Sequence, residues 1–361
     1  MRLPLLLLLC SSLAETFFRS CYYSLNDPPV SLIEKDLCSH IILIGKANVN
    51  VLGLLETPDV ADNLLFKSIK KYSPNSKLII CITGANPSFS QLVSSPTLIE
   101  RFVDKVFAYV EAYQFDGIDL DWEFPTWSAD AKKTDKHLFS DLLMKINEKF
   151  GGKYMLTVAV SGPPTITKVA YDVNSLNKYV DFVQVMNYDF HIFSYLYPVV
   201  GFNAPLRKLK GEQSIIGQMN SEASMAKWKN MGLWSNKTLF GIPTYSRAYL
   251  LVNKYLHEPF ALAEKTIDTL SKRAVVCELL KDTRNYFQVW NNRAASPYAY
   301  GNDKTWISFE NEKSVKQKAL YAYASGVAGV MIYDIGSDDY YGSCGNGTFP
   351  LLKAINAALG Y

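Results

Sequence analysis

Short apolar runs of five to nine residues recur along the chain, at 20–24, 40–44, 77–83, 115–123, 154–160, 182–188, 238–245 and 329–334. Their length and their content of Val, Ile, Phe and Tyr predict strands. Between most of them the apolar positions fall at helical spacing, as at 98–113, 136–149, 221–231 and 312–324. In the first of these, Phe102, Val103, Val106, Phe107 and Val110 make one apolar face. Eight strands separated by helices predict an α/β fold with parallel pairing, closed as a (β/α)8 TIM barrel. A doubly wound open sheet is the alternative, but the Gly-x-Gly-x-x-Gly turn expected after its first strand is missing. About eighty residues separate the seventh run from the eighth, too many for one helix. Leu250-Leu251-Val252, Ala274-Val275-Val276 and Tyr286 to Trp290 within this stretch are β-prone, which predicts a small inserted subdomain at roughly 248–300.

The fourth run changes the picture. Residues 116–123 read Asp-Gly-Ile-Asp-Leu-Asp-Trp-Glu. On a strand, Asp119, Asp121 and Glu123 project to one side and Ile118, Leu120 and Trp122 to the other. Folding gives no reason to line up three carboxyls, because like charges raise one another's pKa. Acid–base chemistry does: crowding keeps one carboxyl protonated near neutral pH beside an ionised neighbour. In a barrel, functional groups sit at the C-terminal strand ends, and Glu123 is expected as the last residue of its strand. Asp116, at the strand's start, and Gly117 are expected to be structural.

Composition narrows the class. The chain has 361 residues, 48% hydrophobic and 20% charged, with a formal net charge of +3. That is a globular composition, and without a dense Lys/Arg tract no nucleic-acid partner is expected. The four histidines lie far apart with no metal-ligand spacing, so they suggest no metal site. Arg2, the leucine run at 5–9 and the small-x-small site ending at Ala14 read as a signal peptide over residues 1–14. The mature chain at 15–361 is then a single catalytic domain, secreted, with no membrane span and nothing pointing away from a monomer. For an oxidising compartment we expect pairings Cys21–Cys38 and Cys277–Cys344, with Cys81 a buried thiol, although spacing alone does not set connectivity. Asn236 and Asn346 open two glycosylation sequons.

The motif Phe115 to Pro125 closely resembles the signature of glycoside hydrolase family 18, the chitinases and chitinase-like lectins. Residues 184–189, 241–247 and 329–334 resemble that family's sixth, seventh and eighth strands. Cys21-Tyr22-Tyr23 and Cys38-Ser39-His40 resemble the start of its animal branch, with its disulfide. The resemblance implies hydrolysis with net retention and without a metal or organic cofactor, in which the substrate's own N-acetyl group is the nucleophile. It implies Glu123 as general acid/base, Asp121 orienting the N-acetyl group, Asp119 tuning Asp121, and Tyr188 as a hydroxyl donor. It also implies Tyr22, Trp122, Met186, Asp189, Tyr245, Arg247 and Tyr333 as substrate-binding residues.

The departures fall on binding positions. Tyr333 stands where the family usually has Trp, Thr83-Gly84-Ala85 ends the third strand without an aromatic, Leu43-Ile44-Gly45 ends the second, and Asn26 replaces another Trp. Smaller or missing rings stack less well on pyranose faces. The expected activity is cleavage of β-1,4-N-acetylglucosamine linkages in chitin or its oligosaccharides, with weak grip on polymer. A non-catalytic carbohydrate-binding or signalling protein, or an endoglycosidase acting on N-glycan cores, are the alternatives.

Overall fold

The computed structural model describes residues 17–361, so the expected signal peptide lies outside the described residues. Seven strands run in sequence through its first two-thirds: β1 (Phe18–Ser24), β2 (His40–Val49), β3 (Lys77–Gly84), β4 (Gly117–Asp121), β5 (Met155–Ser161), β6 (Phe182–Met186) and β7 (Thr238–Pro243). After the insertion come β8 (Arg247–Leu251), β9 (Ala263–Thr266), β10 (Tyr286–Asn291), β11 (Ser296–Gly301), β12 (Thr305–Ser308) and, last, β13 (Gly329–Tyr333). Strands β1 to β7 and β13 pair in parallel around a closed ring, β1-β2-β3-β4-β5-β6-β7-β13 and back to β1. This is the (β/α)8 TIM barrel.

Period-two alternation separates its two cores. Ile118, Leu120 and Trp122 pack outward with the helices, among them Pro96–Tyr113 and Asp135–Phe150. Tyr22, Ile42, Ile79, Cys81, Ala159 and Met331 fill the barrel interior. Gly117 lies so close to β5 that a Cβ there would meet the Met155 carbonyl oxygen at 2.3 Å. Asp116, just before β4, accepts from the Leu78 amide at 2.8 Å and pairs with Lys77 (2.9 Å) and Lys70 (3.2 Å). Burial pulls its carboxyl upward, but those bonds outweigh it and the pKa is lowered. Both act as fasteners at the strand's start.

The insertion forms a five-stranded antiparallel sheet in the order β9-β8-β12-β11-β10. It runs from Arg247 to Ser308, past the expected limit near residue 300. The stretch around Ala274-Val275-Val276 is also not a strand. It lies in a helix, Arg273–Leu279, where Val276 is buried and Cys277 bonds to Cys344. Tertiary packing overrides β-propensity there. The second disulfide joins Cys21 in β1 to Cys38, two residues before β2, and Cys81 is a buried free thiol. Asn236 and Asn346 are both exposed. Among the described residues, no helix is long and apolar enough to cross a membrane.

Candidate active site

The acidic row is built on β4. Asp119 is fully buried and accepts three hydrogen bonds, from Tyr22 Oη (2.7 Å), Thr157 Oγ1 (2.6 Å) and Gln184 Nε2 (2.8 Å). Burial raises its pKa, and the three donors only partly oppose this. Asp121 ends the strand one pleat higher. Its Oδ1 is buried without a hydrogen-bond partner among the described residues. Burial, then the charges of Glu123 and Asp119, push its pKa well above the usual carboxylate range.

Glu123 lies two residues beyond the strand, not at its last position as the alternation suggested. It is solvent-exposed at the open pocket, yet surrounding protein raises its carboxyl, burial acting first and the charge of Asp189 second. Asp121 and Glu123 therefore titrate as a linked pair rather than as two independent acids.

Trp122 is not a wall of this pocket. It is 1% exposed, stacks on Phe89 at 5.0 Å and donates from Nε1 to Asn86 Oδ1 at 2.7 Å. The alternation that turns the acids inward turns this ring outward. Asn86 in turn donates to the Glu123 carbonyl oxygen at 3.0 Å. Trp122 thus anchors the segment that presents Glu123 and cannot reach a sugar.

The other expected residues converge on one cavity of about 330 Å³: Tyr22, Asp121, Glu123, Met186, Tyr188, Asp189, Tyr245, Arg247 and Tyr333 all line it. Tyr333 packs among Tyr22 (5.4 Å), Tyr188 (5.8 Å) and Tyr245 (6.0 Å between ring centroids). Four tyrosines thus cluster at the end of the pocket that Asp121 shares. Burial raises the Tyr188 hydroxyl well above its ordinary pKa, so it stays a donor. Its protein contact is the weak acceptor Met331 Sδ at 3.6 Å.

Asp189 ties Tyr245 and Arg247 together in the cavity wall. It sits at φ 56°, in the left-handed region, with its amide donating to Asn203 Oδ1 at 3.0 Å. Such backbone is sparsely populated by residues other than glycine and is held in place by its surroundings. Asp189 Oδ1 accepts from Tyr245 Oη, from Arg247 Nε at 2.8 Å and from Arg247 Nη2 at 2.6 Å. Arg247 is thus both a pocket residue and half of an ion pair.

Sequence reasoning did not single out Thr157 and Gln184, the partners of Asp119, although each is a polar interruption in an apolar strand. It also passed over Phe124, Gly162, Pro163, Ile166 and Ile192, which complete the cavity lining. All but Ile166, which lies in the short helix Pro164–Ala170, come from loops, where no periodicity marks a side chain's direction.

A closed parallel barrel with a carboxylate row at its C-terminal mouth and an aromatic pocket above it defines a (β/α)8 protein with a glycosidase-like site. The chain belongs to the glycosyl hydrolases family 18, whose family model matches residues 19–338. Chitotriosidase-1 of Mus musculus is 29% identical over 356 residues, covering 91% of this chain and 73% of that protein. Probable chitinase 10 of Drosophila melanogaster is 30% identical over 91% of this chain, which spans 15% of that protein's length. The crystal structure of the Ostrinia furnacalis Group IV chitinase superposes with a TM-score of 0.88 at 29% identity, covering 96% of this chain and all of that one.

Proposed function

We propose that this chain is a secreted glycosidase cleaving β-1,4-N-acetylglucosamine linkages in chito-oligosaccharides by substrate-assisted, retaining catalysis. One observation carries the reading. The carboxyl row rises from a buried, fully bonded Asp119, through Asp121 with an unpartnered oxygen, to Glu123 open to the pocket. The upward shift of the Glu123 pKa, from burial and then the charge of Asp189, favours its role as the donor to the glycosidic oxygen. In this reading the Asp121 carboxyl, which lines the cavity, accepts from the N-acetyl N–H and holds that group as its carbonyl oxygen attacks the anomeric carbon. The Tyr188 hydroxyl donates to the same carbonyl oxygen. Water then adds to the anomeric carbon and returns its proton to Glu123, giving net retention.

The signal-peptide reading of residues 1–14 and the two exposed sequons at Asn236 and Asn346 support a secretory route. A second reading, glycan binding without turnover, is favoured by two features. The segment Thr83-Gly84-Ala85 brings no ring to the groove, and Tyr333 is the smaller of the usual aromatic platforms.

The test is incubation of wild type and Glu123→Gln with short N-acetylglucosamine oligomers, resolving product anomers over time. Wild type should release β-anomers first, and the variant should lose about 10²- to 10⁴-fold in rate while still binding oligomers. α-Anomeric products, or near-wild-type turnover by the variant, would refute the mechanism. Binding without products from wild type would favour the second reading.

A further inference from the structure

The barrel interior below the acidic row carries an amide that folding does not require. Barrel cores are filled by branched apolar side chains, and here Ile42, Ile79, Ala159, Leu239 and Met331 help to do so. Gln184, on β6, is fully buried in the same interior. A buried amide costs free energy unless its donors and its acceptor are met. Those of Gln184 are met across the barrel. Its Oε1 accepts from Ser20 Oγ on β1 at 2.9 Å, and its Nε2 donates to Asp119 Oδ1 on β4 at 2.8 Å. Nε2 also lies 3.2 Å from Tyr22 Oη and 3.5 Å from Thr157 Oγ1.

Asp119 therefore meets three neutral partners of two kinds. The Tyr22 and Thr157 hydroxyls rotate, and each can accept a hydrogen bond as readily as donate one. The Gln184 Nε2 group only donates. Reversing the amide would set Oε1 against the carboxylate, acceptor against acceptor. The two hydroxyls suit a protonated Asp119 as well as a charged one, whereas the amide suits the charged form. The titratable groups around Asp119 are Tyr22 from β1, Cys81 as its register partner on β3, Tyr188 beyond β6, and Asp121 and Glu123 above it. Burial raises the pKa of Tyr22, Cys81 and Tyr188 well above their ordinary values, so these three stay neutral.

We propose that Gln184 is a positioning residue that holds Asp119 in its charged form, and that this fixed charge keeps the working proton on the Asp121–Glu123 pair. A charge beneath the pair disfavours further charges on it. Without the amide donor, Asp119 competes for that proton, and Glu123 carries one only when a second proton binds the row, at lower pH. The consequence for turnover rests on the proposed hydrolysis, whereas the state of Asp119 does not.

Difference infrared titration reads Asp119 directly, through the protonated-carboxyl stretch that Asp119→Asn removes. In wild type this stretch should be absent at about pH 7. Gln184→Met keeps the side chain's length and removes the donor, so the stretch should persist to a pH about one to two units higher than in wild type. The alkaline limb of kcat/KM on N-acetylglucosamine oligomers should move down by about one unit. Gln184→Glu should return that limb to its wild-type position, because the new carboxyl and Asp119 together hold one proton and one charge. A merely structural glutamine predicts the reverse, with Met tolerated in the core, Glu damaging and neither limb moved. Thermal melts show whether each variant folds, and the wild-type infrared reading needs no substitution at this position. An Asp119 stretch present in wild type at about pH 7, or one whose titration Gln184→Met leaves unmoved, overturns the proposal. So does a limb that stays in place in Gln184→Met or moves equally in Gln184→Glu. If wild type cleaves no oligomer but the infrared shift appears, the hold on Asp119 stands and the hydrolase reading falls.

Discussion

Replacing Asp121 with Asn should stabilise the protein at neutral pH while removing its activity. The carboxyl sits with one oxygen buried and unpartnered, and burial, Glu123 and Asp119 all raise its pKa above 3.8. Between 3.8 and the raised value the folded state binds more protons than the unfolded one, so stability falls as pH rises through that window. The contribution of this group is therefore fully present below about pH 4 and lost as pH rises through the raised folded-state value. Its size is bounded. Keeping a carboxyl of ordinary pKa protonated at pH 7 costs at most about 4 kcal/mol, at ~1.4 kcal/mol per pH unit. An asparagine carries no charge and avoids this cost, though its amide still needs partners in the same site. We expect a gain of about 1–3 kcal/mol at pH 7 that shrinks toward zero near pH 4. Urea unfolding of both proteins at the two pH values, with equal slopes, measures it. A variant less stable than wild type at pH 7, or a difference independent of pH, would refute the assignment of Asp121 as a strained, electrostatically crowded acid.

Tyr188→Phe should leave stability within about 1 kcal/mol, since among the described residues the hydroxyl's hydrogen-bond partner is a thioether sulfur. It should nevertheless lower kcat by about 10²-fold, the usual loss for one donor to a developing charge. Thermal melts and oligomer hydrolysis read the two effects separately. Tyr333→Trp should tighten binding of N-acetylglucosamine oligomers about two- to tenfold, by the larger stacking area, as titration calorimetry would show. Lys318→Ala should destabilise by about 3–5 kcal/mol. It leaves Glu310, its ion-pair partner, buried without a counter-charge, and removes a bond to Ser296 at 3.1 Å. Guanidinium unfolding of the variant provides the measurement.

The barrel was legible because each of its strands and helices carries its own period. All eight expected barrel strands form, and 312–324 is helical from end to end. The facing of Asp119 and Asp121 is likewise local, since alternation along Gly117–Asp121 decides it. The same rule misplaced Glu123, because period two ends with the strand. Trp122 was assigned to the sugar on resemblance, against the alternation that turns it outward.

Where the carboxyls stand energetically was not written locally. The three donors that hold Asp119 come from 97, 38 and 65 residues away along the chain. Burial, the dominant cause of all three raised pKa values in the row, depends on strands and loops closing over it. The catalytic cavity likewise gathers side chains from several strands and the segments between them. Periodicity reports which way a side chain leaves its own strand or helix, so the sequence by itself determined the barrel and the acidic row. Desolvation and cavity shape arise only between distant segments, so the tertiary structure alone decided which acid is free to react and what surface its substrate meets.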